Sequence, residues 1–402
     1  MIDPQLHRAL RAATPGLADG VHLNHAGASL MPQAAHDAIA AHLALEARHG
    51  PMDAAAMVAD RLSSLRESAA RLIHASACEI AIMPSASHAF GSVFAALPPL
   101  RAGERILVSR QEWGGNLATY RRAADRSGAR VEVMPVRDDG SVDPVALAGC
   151  LDERVRLISL TWLPANGGLI HDAAAVGSVA RAAGIPFLVD AGQALGQIPV
   201  DVRELQCDIL KGAGRKFLRG PRGTALLYVR REFLGKLDPP WVDVWSAPWG
   251  HDGPALRGDA RMFETSESSA ALQLGLLASI ELALSLGVAR IAPAALAMAE
   301  RLRAMLGELP GVTVRDLGRA GARSGLVSFT IEGLDAMAVK DRLRAQRIHV
   351  GANGVPYTPL DMQARGLHNV VRASVSYLND TNDLETLAGA IRGIAAQRSR
   401  RA

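Results

Sequence analysis

The chain has 402 residues, 49% of them apolar and 21% charged, and a formal charge of +4. That length exceeds one ordinary core and predicts two domains, while scattered basic residues and a small net charge argue against a nucleic-acid partner. Three widely spaced cysteines, Cys78, Cys150 and Cys207, suggest neither a disulfide framework nor a metal site and fit a reducing, cytoplasmic compartment.

The N-terminus lacks the apolar run of a signal peptide. The segment VHLNHAGASLMP (21–32) is a short apolar run passing into a polar turn, and helices are predicted over 33–47 and 53–74. In IAIMPSASHAFGSVFAAL (80–97) a strand enters a Ser/Ala turn that opens a helix. From 105 onward strands and helices alternate, with strands at 105–109, 131–136, 155–163, 186–191, 207–212 and 224–229 and helices near 116–128, 144–152 and 172–184. The strands are apolar on both faces, which predicts an α/β fold with a buried, mostly parallel sheet whose ligands bind beyond the strands' carboxyl ends.

A Pro/Trp/Gly-rich loop (238–260) carries Trp241, Trp245 and Trp249, whose cluster suits interface packing better than a substrate cage. The most apolar region, 269–289, is broken by Glu281 and reads as a buried helix, so no membrane span is expected. Strands at 312–316, 325–333, 348–352 and 370–378 with helices at 336–346 and 383–397 predict a smaller α+β unit. Its 353–369 loop is long enough to be functional, and the basic tail RSRRA (398–402) reads as solvated.

Lysine is scarce: four of the 44 basic residues. Lys236 and Lys340 sit in charged helical contexts and read as solvated, and Lys211 lies just upstream of the glycines. Lys216 stands in a glycine-rich turn after a buried strand, positioned and partly desolvated, as imine formation requires; an ordinary surface lysine is the alternative. Asp190 ends another buried strand, where a carboxylate is costly unless paired. It reads either as a turn cap or as the partner of a pyridinium. A lysine and a carboxylate so placed are what a pyridoxal 5'-phosphate (PLP) site needs.

Ser85, Ala86 and Ser87 mark a strand-to-helix turn, either an N-cap or a phosphate cradle. Gln193 follows Asp190 on the same turn, and Asn166, after another buried strand, reads either as a turn Asn before Gly or as a donor to a phenolate oxygen. Trp113 is placed to stack on a flat ring or to pack in the core. Arg372, inside an apolar strand, needs an anion: a structural partner or a substrate carboxylate. GxGxxG is missing from the first strand-helix turns, which argues against a dinucleotide binder.

Three segments carry a family resemblance: LVDAGQALGQIPVDV (188–202), GRKFLRGPRGTALLYV (214–229) and VRASVSYLND (371–380). Over about 21–395 the chain resembles PLP-dependent enzymes of aminotransferase class V, among them cysteine desulfurases, kynureninases, isopenicillin N epimerase and the ergothioneine-pathway C–S lyase. The resemblance implies PLP fold type I: a large domain (20–270) with a seven-stranded, mostly parallel sheet flanked by helices, and a small α+β domain formed by 1–19 and 271–402.

It also implies Lys216 as the Schiff-base lysine, Asp190 on the ring nitrogen, Gln193 and Asn166 near the phenolic oxygen, Trp113 stacking, Ala86 and Ser87 at the phosphate, and Arg372 on the α-carboxylate. It implies a homodimer with shared sites that FETSESS (263–269) approaches. The substrate pocket would draw on 22–29, with Asn24 and His25, on 241–251 and on 353–360. His49 and His88 are equally placed for packing or the surface.

Three departures bear on the reaction. The loop before the last long strand has no Cys, which reads against a persulfide-type cysteine desulfurase. Arg215 stands where many desulfurases have His. Ala213 and Glu267 replace the family's phosphate-binding Ser/Thr and Thr. The expectation is a C–S lyase acting by β-elimination on a cysteine-type amino acid. Transamination, epimerisation and a non-catalytic PLP-binding role remain open.

Overall fold

The structure, a computed structural model, describes residues 3–399. The side chains of the expected basic tail, 398–402, lie outside the described set. After a short strand β1 (Val21–His22) the large sheet is built from β2 (Ile80–Met83), β3 (Arg105–Val108), β4 (Arg130–Val133), β5 (Val155–Thr161), β6 (Phe187–Asp190), β7 (Ile209–Ala213) and β8 (Ala225–Val229). Their order is β2-β8-β7-β6-β5-β3-β4. All pairings are parallel except those of β8, which runs against β2 and β7. The fold is thus α/β with a seven-stranded, mostly parallel sheet, as expected.

The apolar runs have a direct cause. Along β6, Phe187 and Val189 enter one core cluster while Leu188 enters the other, and along β7 Leu210 and Ile209 divide in the same way. Both faces of the sheet are covered, so alternate residues are buried on opposite sides.

A small hairpin, β9 (Trp249–Gly250) and β10 (Gly253–Pro254), lies in the Trp-rich loop. The C-terminal region holds β11 (Val312–Val314), β12 (Leu326–Ile331), β13 (Ile348–His349), β14 (Gly351–Gly354) and β15 (Asn369–Ser374). Four of these form an antiparallel sheet, β11-β12-β15-β14, over its own apolar cluster, and β13 pairs with β1. The expected single strand at 348–352 is two strands because the chain changes partner at Val350, from β1 to β15.

The expected strand 370–378 stops at Ser374, where Asn379 turns the chain by accepting from the Ser376 N–H. The expected helix 53–74 divides at Val58 into Pro51–Met57 and Ala59–Ile73. The 353–369 stretch is not an open loop: it carries a 3₁₀ turn, Val355–Tyr357, and a helix, Pro359–Ala364. Among the described residues no single helix is long and apolar enough to cross a membrane.

Arg219 pins the segment that follows Lys216. Its backbone is left-handed, with φ of 65°, and its side chain is among the most deeply buried large ones. The guanidinium donates to Leu30 O at 3.0 Å, Tyr377 Oη at 2.8 Å and Thr14 Oγ1 at 2.6 Å. A left-handed non-glycine residue costs about 1–2 kcal/mol, and these three bonds to distant segments offset it.

Candidate active site

Parallel strands place their carboxyl ends on one edge. There β2 leads into Ser85–Ser87, β3 into Trp113, β6 ends at Asp190 and β7 runs into Lys216, while antiparallel β8 starts at the same edge. A cleft of about 550 Å³ opens there, lined by Ser85, Ala86, Ser87, Trp113, Asp190, Gln193 and Lys216, and closed from the C-terminal region by Arg372 on β15 and Tyr357 on the 3₁₀ turn. Asn24 lines it as well. Of the site residues singled out from the sequence, all but Asn166 and His25 therefore meet in one cavity.

Asp190 and Lys216 converge on Gly192. A Cβ at that position would stand 2.9 Å from Asp190 Oδ1 and 3.4 Å from Lys216 Nζ, so a side chain would crowd both groups. Burial pushes the Asp190 carboxyl up, but Lys211 and Lys216 together with a Gly192 N–H bond overcome it and leave it below its ordinary value. Desolvation lowers the Lys216 amine to about 7, with Arg215, Lys211 and Arg372 adding to the effect against Asp190. A lysine so placed is substantially neutral near pH 7, the form that attacks a carbonyl and accepts a proton.

Arg372 sits on β15, buried. Its Nη1 donates to Ala165 O at 2.9 Å and its Nη2 to Asn24 Oδ1 at 3.4 Å, while its Nε has no partner. No carboxylate of the described residues pairs with it, and burial pulls its guanidinium down to about 10. Gln193 donates to Ala26 O at 3.1 Å and leaves its own Oε1 unpartnered.

Ser85 caps the helix Ala86–Ala95 by accepting from the His88 N–H, which leaves the first backbone N–H groups of that helix at the cleft wall. Trp113 packs edge-on against Tyr357 at 5.4 Å. Gly114 permits this closure, because a Cβ there would lie 1.9 Å from Pro356 O.

Two expected residues do not reach the cleft. Asn166 donates to Gly354 O and Thr358 Oγ1 and accepts from Asn353. Its amide is spent bracketing the 353–358 segment, so it has no free donor for a phenolate. His25 is fully buried with Nδ1 on Ser29 and Nε2 on Ser376. Burial lowers its pKa well below the ordinary value, so it is a neutral packing histidine that does not touch the cavity. Lys340, expected in solvent, instead stands on the cleft lining.

The sequence reading passed over Lys211, Glu112 and Asn116. Lys211 Nζ lies 2.7 Å from Asp190 Oδ2. Glu112 is completely buried and accepts from Asn116 Nδ2 at 2.8 Å, Thr161 Oγ1 at 2.8 Å and Ser159 Oγ at 3.2 Å. Burial raises its carboxyl to about 7; the Asn116 and Thr161 bonds oppose the rise and Asp190 adds to it. A lysine inside the apolar run CDILKG was the available signal for Lys211; Glu112 and Asn116, in the polar stretch SRQEWGGN after β3, gave none.

Glu112 carries a stability prediction. Its folded pKa lies above its ordinary value, so its contribution is fully present below about pH 4.5 and is lost as pH rises through 7. The apoprotein of Glu112→Gln should match wild type in urea titrations at pH 4.5 and exceed it at pH 8, by on the order of 3 kcal/mol.

A PLP-sized group fits these residues. The cleft offers a neutral amine, a carboxylate for a ring nitrogen, an aromatic wall and a helix start, and its two orphaned buried atoms, Arg372 Nε and Gln193 Oε1, still lack partners. Comparison with known proteins agrees. The aminotransferase class V family model matches residues 21–387. A probable cysteine desulfurase of Methanothermobacter thermautotrophicus is 29% identical over 83% of this chain and 84% of its own. One from Pyrococcus abyssi is 27% identical over 83% of both chains.

Among solved structures, the apo cysteine desulfurase from Thermococcus onnurineus superposes with a TM-score of 0.90 at 24% identity, over 99% of each chain, which speaks to the fold. The complex of the cystine C–S lyase C-DES with its reaction product cysteine persulfide gives 0.85 at 26% identity, over 94% of this chain and 99% of that one. These findings overturn the exclusion of persulfide-type cysteine desulfurases. The curated relatives carry that name, and a C–S lyase of this fold has cysteine persulfide as its product, so a loop without cysteine is no ground for excluding persulfide chemistry.

Proposed function

The chain belongs to the aminotransferase class V family and depends on PLP, and from that premise we propose that it is a C–S lyase that cleaves a cysteine-type amino acid by β-elimination, with cystine the first substrate to test. The supporting observation is Arg372: a buried guanidinium with an unpartnered Nε and no carboxylate, in the same cleft as Lys216 and Asp190. It suits an amino acid's α-carboxylate. The named activity of C-DES at 26% identity supports the choice of sulfur substrate.

Bound PLP supplies an electron sink for a carbanion at the substrate's α-carbon. The chain's own groups do the rest. Lys216 would hold the cofactor through its amine and, once an amino acid takes its place, would remove the α-proton with the same near-neutral group. Asp190 would hold a proton on the ring nitrogen, Trp113 would wall the ring, and Arg372 would fix the substrate carboxylate so that the Cα–H bond faces Lys216. The helix start at Ser85–Ser87, with Arg222 and Thr224, which also line the cleft, would hold the phosphate in place of the missing Ser/Thr at Ala213. The Cβ–S bond breaks with sulfur leaving as a thiolate or, from cystine, as cysteine persulfide. The three-carbon remainder ends as pyruvate and ammonia after hydrolysis.

The test is to incubate the holoprotein with cystine, cysteine and S-substituted cysteines. Pyruvate and ammonia in equal amounts, with the matching sulfur product, are expected. Conversion of the cofactor to pyridoxamine phosphate would mean transamination, and deuterium uptake at Cα alone would mean epimerisation; either displaces elimination.

A homodimer is part of the proposal. Trp249 is 73% exposed, and Trp241, Val242, Val244 and Leu256 near it are exposed too, an apolar patch that a lone soluble chain rarely presents. Segment 263–269 would then reach the partner's site. Sedimentation should give a dimer, and Trp249→Glu should shift it toward monomer.

A further inference from the structure

Register puts a second lysine on the central carboxylate. Asp190 ends β6 and its parallel partner on β7 is Lys211. Strand alternation turns Leu188 and Ile209 to one face of the sheet, and two residues on, Asp190 and Lys211 follow them. That face is covered by helix Ala86–Ala95, whose Phe90 ring centre lies 5.8 Å from Lys211 Nζ. Lys211 is 3% exposed and Asp190 6%, so neither charge is shared with bulk water.

The two oxygens of Asp190 are unequally used. Oδ2 takes Lys211 Nζ at 2.7 Å and Asn116 Nδ2 at 3.1 Å, and Asn116 is itself braced by Glu112 at 2.8 Å. Oδ1 takes the Gly192 N–H at 2.9 Å. A carboxylate offers about four lone-pair sites; Oδ2 has met both of its own and Oδ1 one.

We propose that Lys211 is a positioning residue of this site, which with Asn116 clamps Oδ2 of Asp190, leaves Oδ1 for the cofactor's ring nitrogen, and shares the carboxylate's charge with it. The inference rests on the reading of Asp190 as the ring-nitrogen partner. One carboxylate then serves two cations, so the ring holds its proton less tightly than it would beside an undivided aspartate. Other charged or titratable groups around the pair are Glu112 ahead of helix Gly114–Ser127, Tyr120 within it, Lys216 and Arg215 after β7, and Arg372 on β15. Glu112, with no cation bonded to it among the described residues, is the second carboxylate able to answer the extra positive charge.

The experiment uses holoprotein loaded with PLP labelled with ¹⁵N in the ring, followed by NMR across pH. In Lys211→Met the ring nitrogen should keep its proton to a pH about one unit higher than in wild type, and Lys211→Arg should restore the wild-type value. An unmoved midpoint in Lys211→Met overturns the inference, as does an equal shift in Lys211→Arg, since then charge is not the agent.

A second measurement needs no neutral variant. In ¹⁵N-lysine-labelled wild type, the Lys211 signal, assigned by its loss in Lys211→Arg, should move on cofactor loading while that of Lys236 stays. A Lys211 signal indifferent to loading overturns the inference. A protein that takes up no cofactor overturns the reading of Asp190 and this inference with it. A loaded protein indifferent to residue 211 overturns this inference alone.

Discussion

Lys216→Ala should lose its visible cofactor absorbance and at least about a thousandfold in kcat. Lys216 stands on the turn that follows β7, held by the Arg219 bonds to Leu30, Tyr377 and Thr14, and its amine is desolvated to a pKa of about 7. In the proposed reaction it is both the group that bonds the cofactor and the base at the α-carbon. A positioned base contributes 10²–10⁴-fold, and alanine removes it together with the covalent link. Folding should survive, because the side chain opens on a cleft rather than filling a core. Absorbance spectra and single-turnover rates check the two losses separately. A colourless variant that still turns over at the wild-type rate would mean that Lys216 has neither role.

Arg372→Met should behave in opposite ways toward substrate and stability. Without the guanidinium the substrate carboxylate enters the site without the cation proposed to pair with it, and loss of a buried charged partner costs about 3–5 kcal/mol. That corresponds to a fall in kcat/KM of a few hundredfold or more, expressed in both KM and kcat because the carboxylate also orients the α-proton. In the apoprotein, however, the guanidinium is itself a desolvated charge with an unsatisfied Nε. Replacing it with an apolar chain of similar length should leave the apoprotein melting temperature unchanged or raised. A purely structural arginine, tied only to Ala165 O and Asn24, predicts the reverse: a lower melting temperature and nearly intact kinetics.

The sheet was legible because both of its faces are buried. Except for the edge strand β4, each strand from 80 to 229 announces itself as a short apolar run, and the chemistry-bearing residues follow directly at the ends of those runs. Lys216 and Asp190 could be paired from sequence for that reason, although 26 residues separate them.

What the sequence did not reveal lies where a side chain must choose between neighbours. Asn166 follows a strand as Asp190 does, yet its amide is consumed by Gly354, Thr358 and Asn353, which lie nearly 190 positions away in the chain. His25 sits one residue from the cleft-lining Asn24 but points into Ser29 and Ser376.

Lys211 is legible by the rule that exposes Arg372: a cation inside an apolar strand needs an anion, and for the lysine of CDILKG that anion is Asp190. The missing loop cysteine misled for another reason: it speaks to how sulfur leaves, not to whether persulfide is made. The C-DES complex, with cysteine persulfide as the product of a cystine lyase, makes that distinction concrete.

The central claim is that the amine at 216, and not its neighbour at 211, carries the cofactor. Borohydride reduction of the holoprotein followed by peptide mass spectrometry tests it directly. Both residues fall in the short segment 211–216, so fragmentation must separate them. The account predicts the pyridoxyl adduct on Lys216 and an unmodified Lys211. An adduct on Lys211, or a coloured protein that yields no adduct on Lys216, would contradict it.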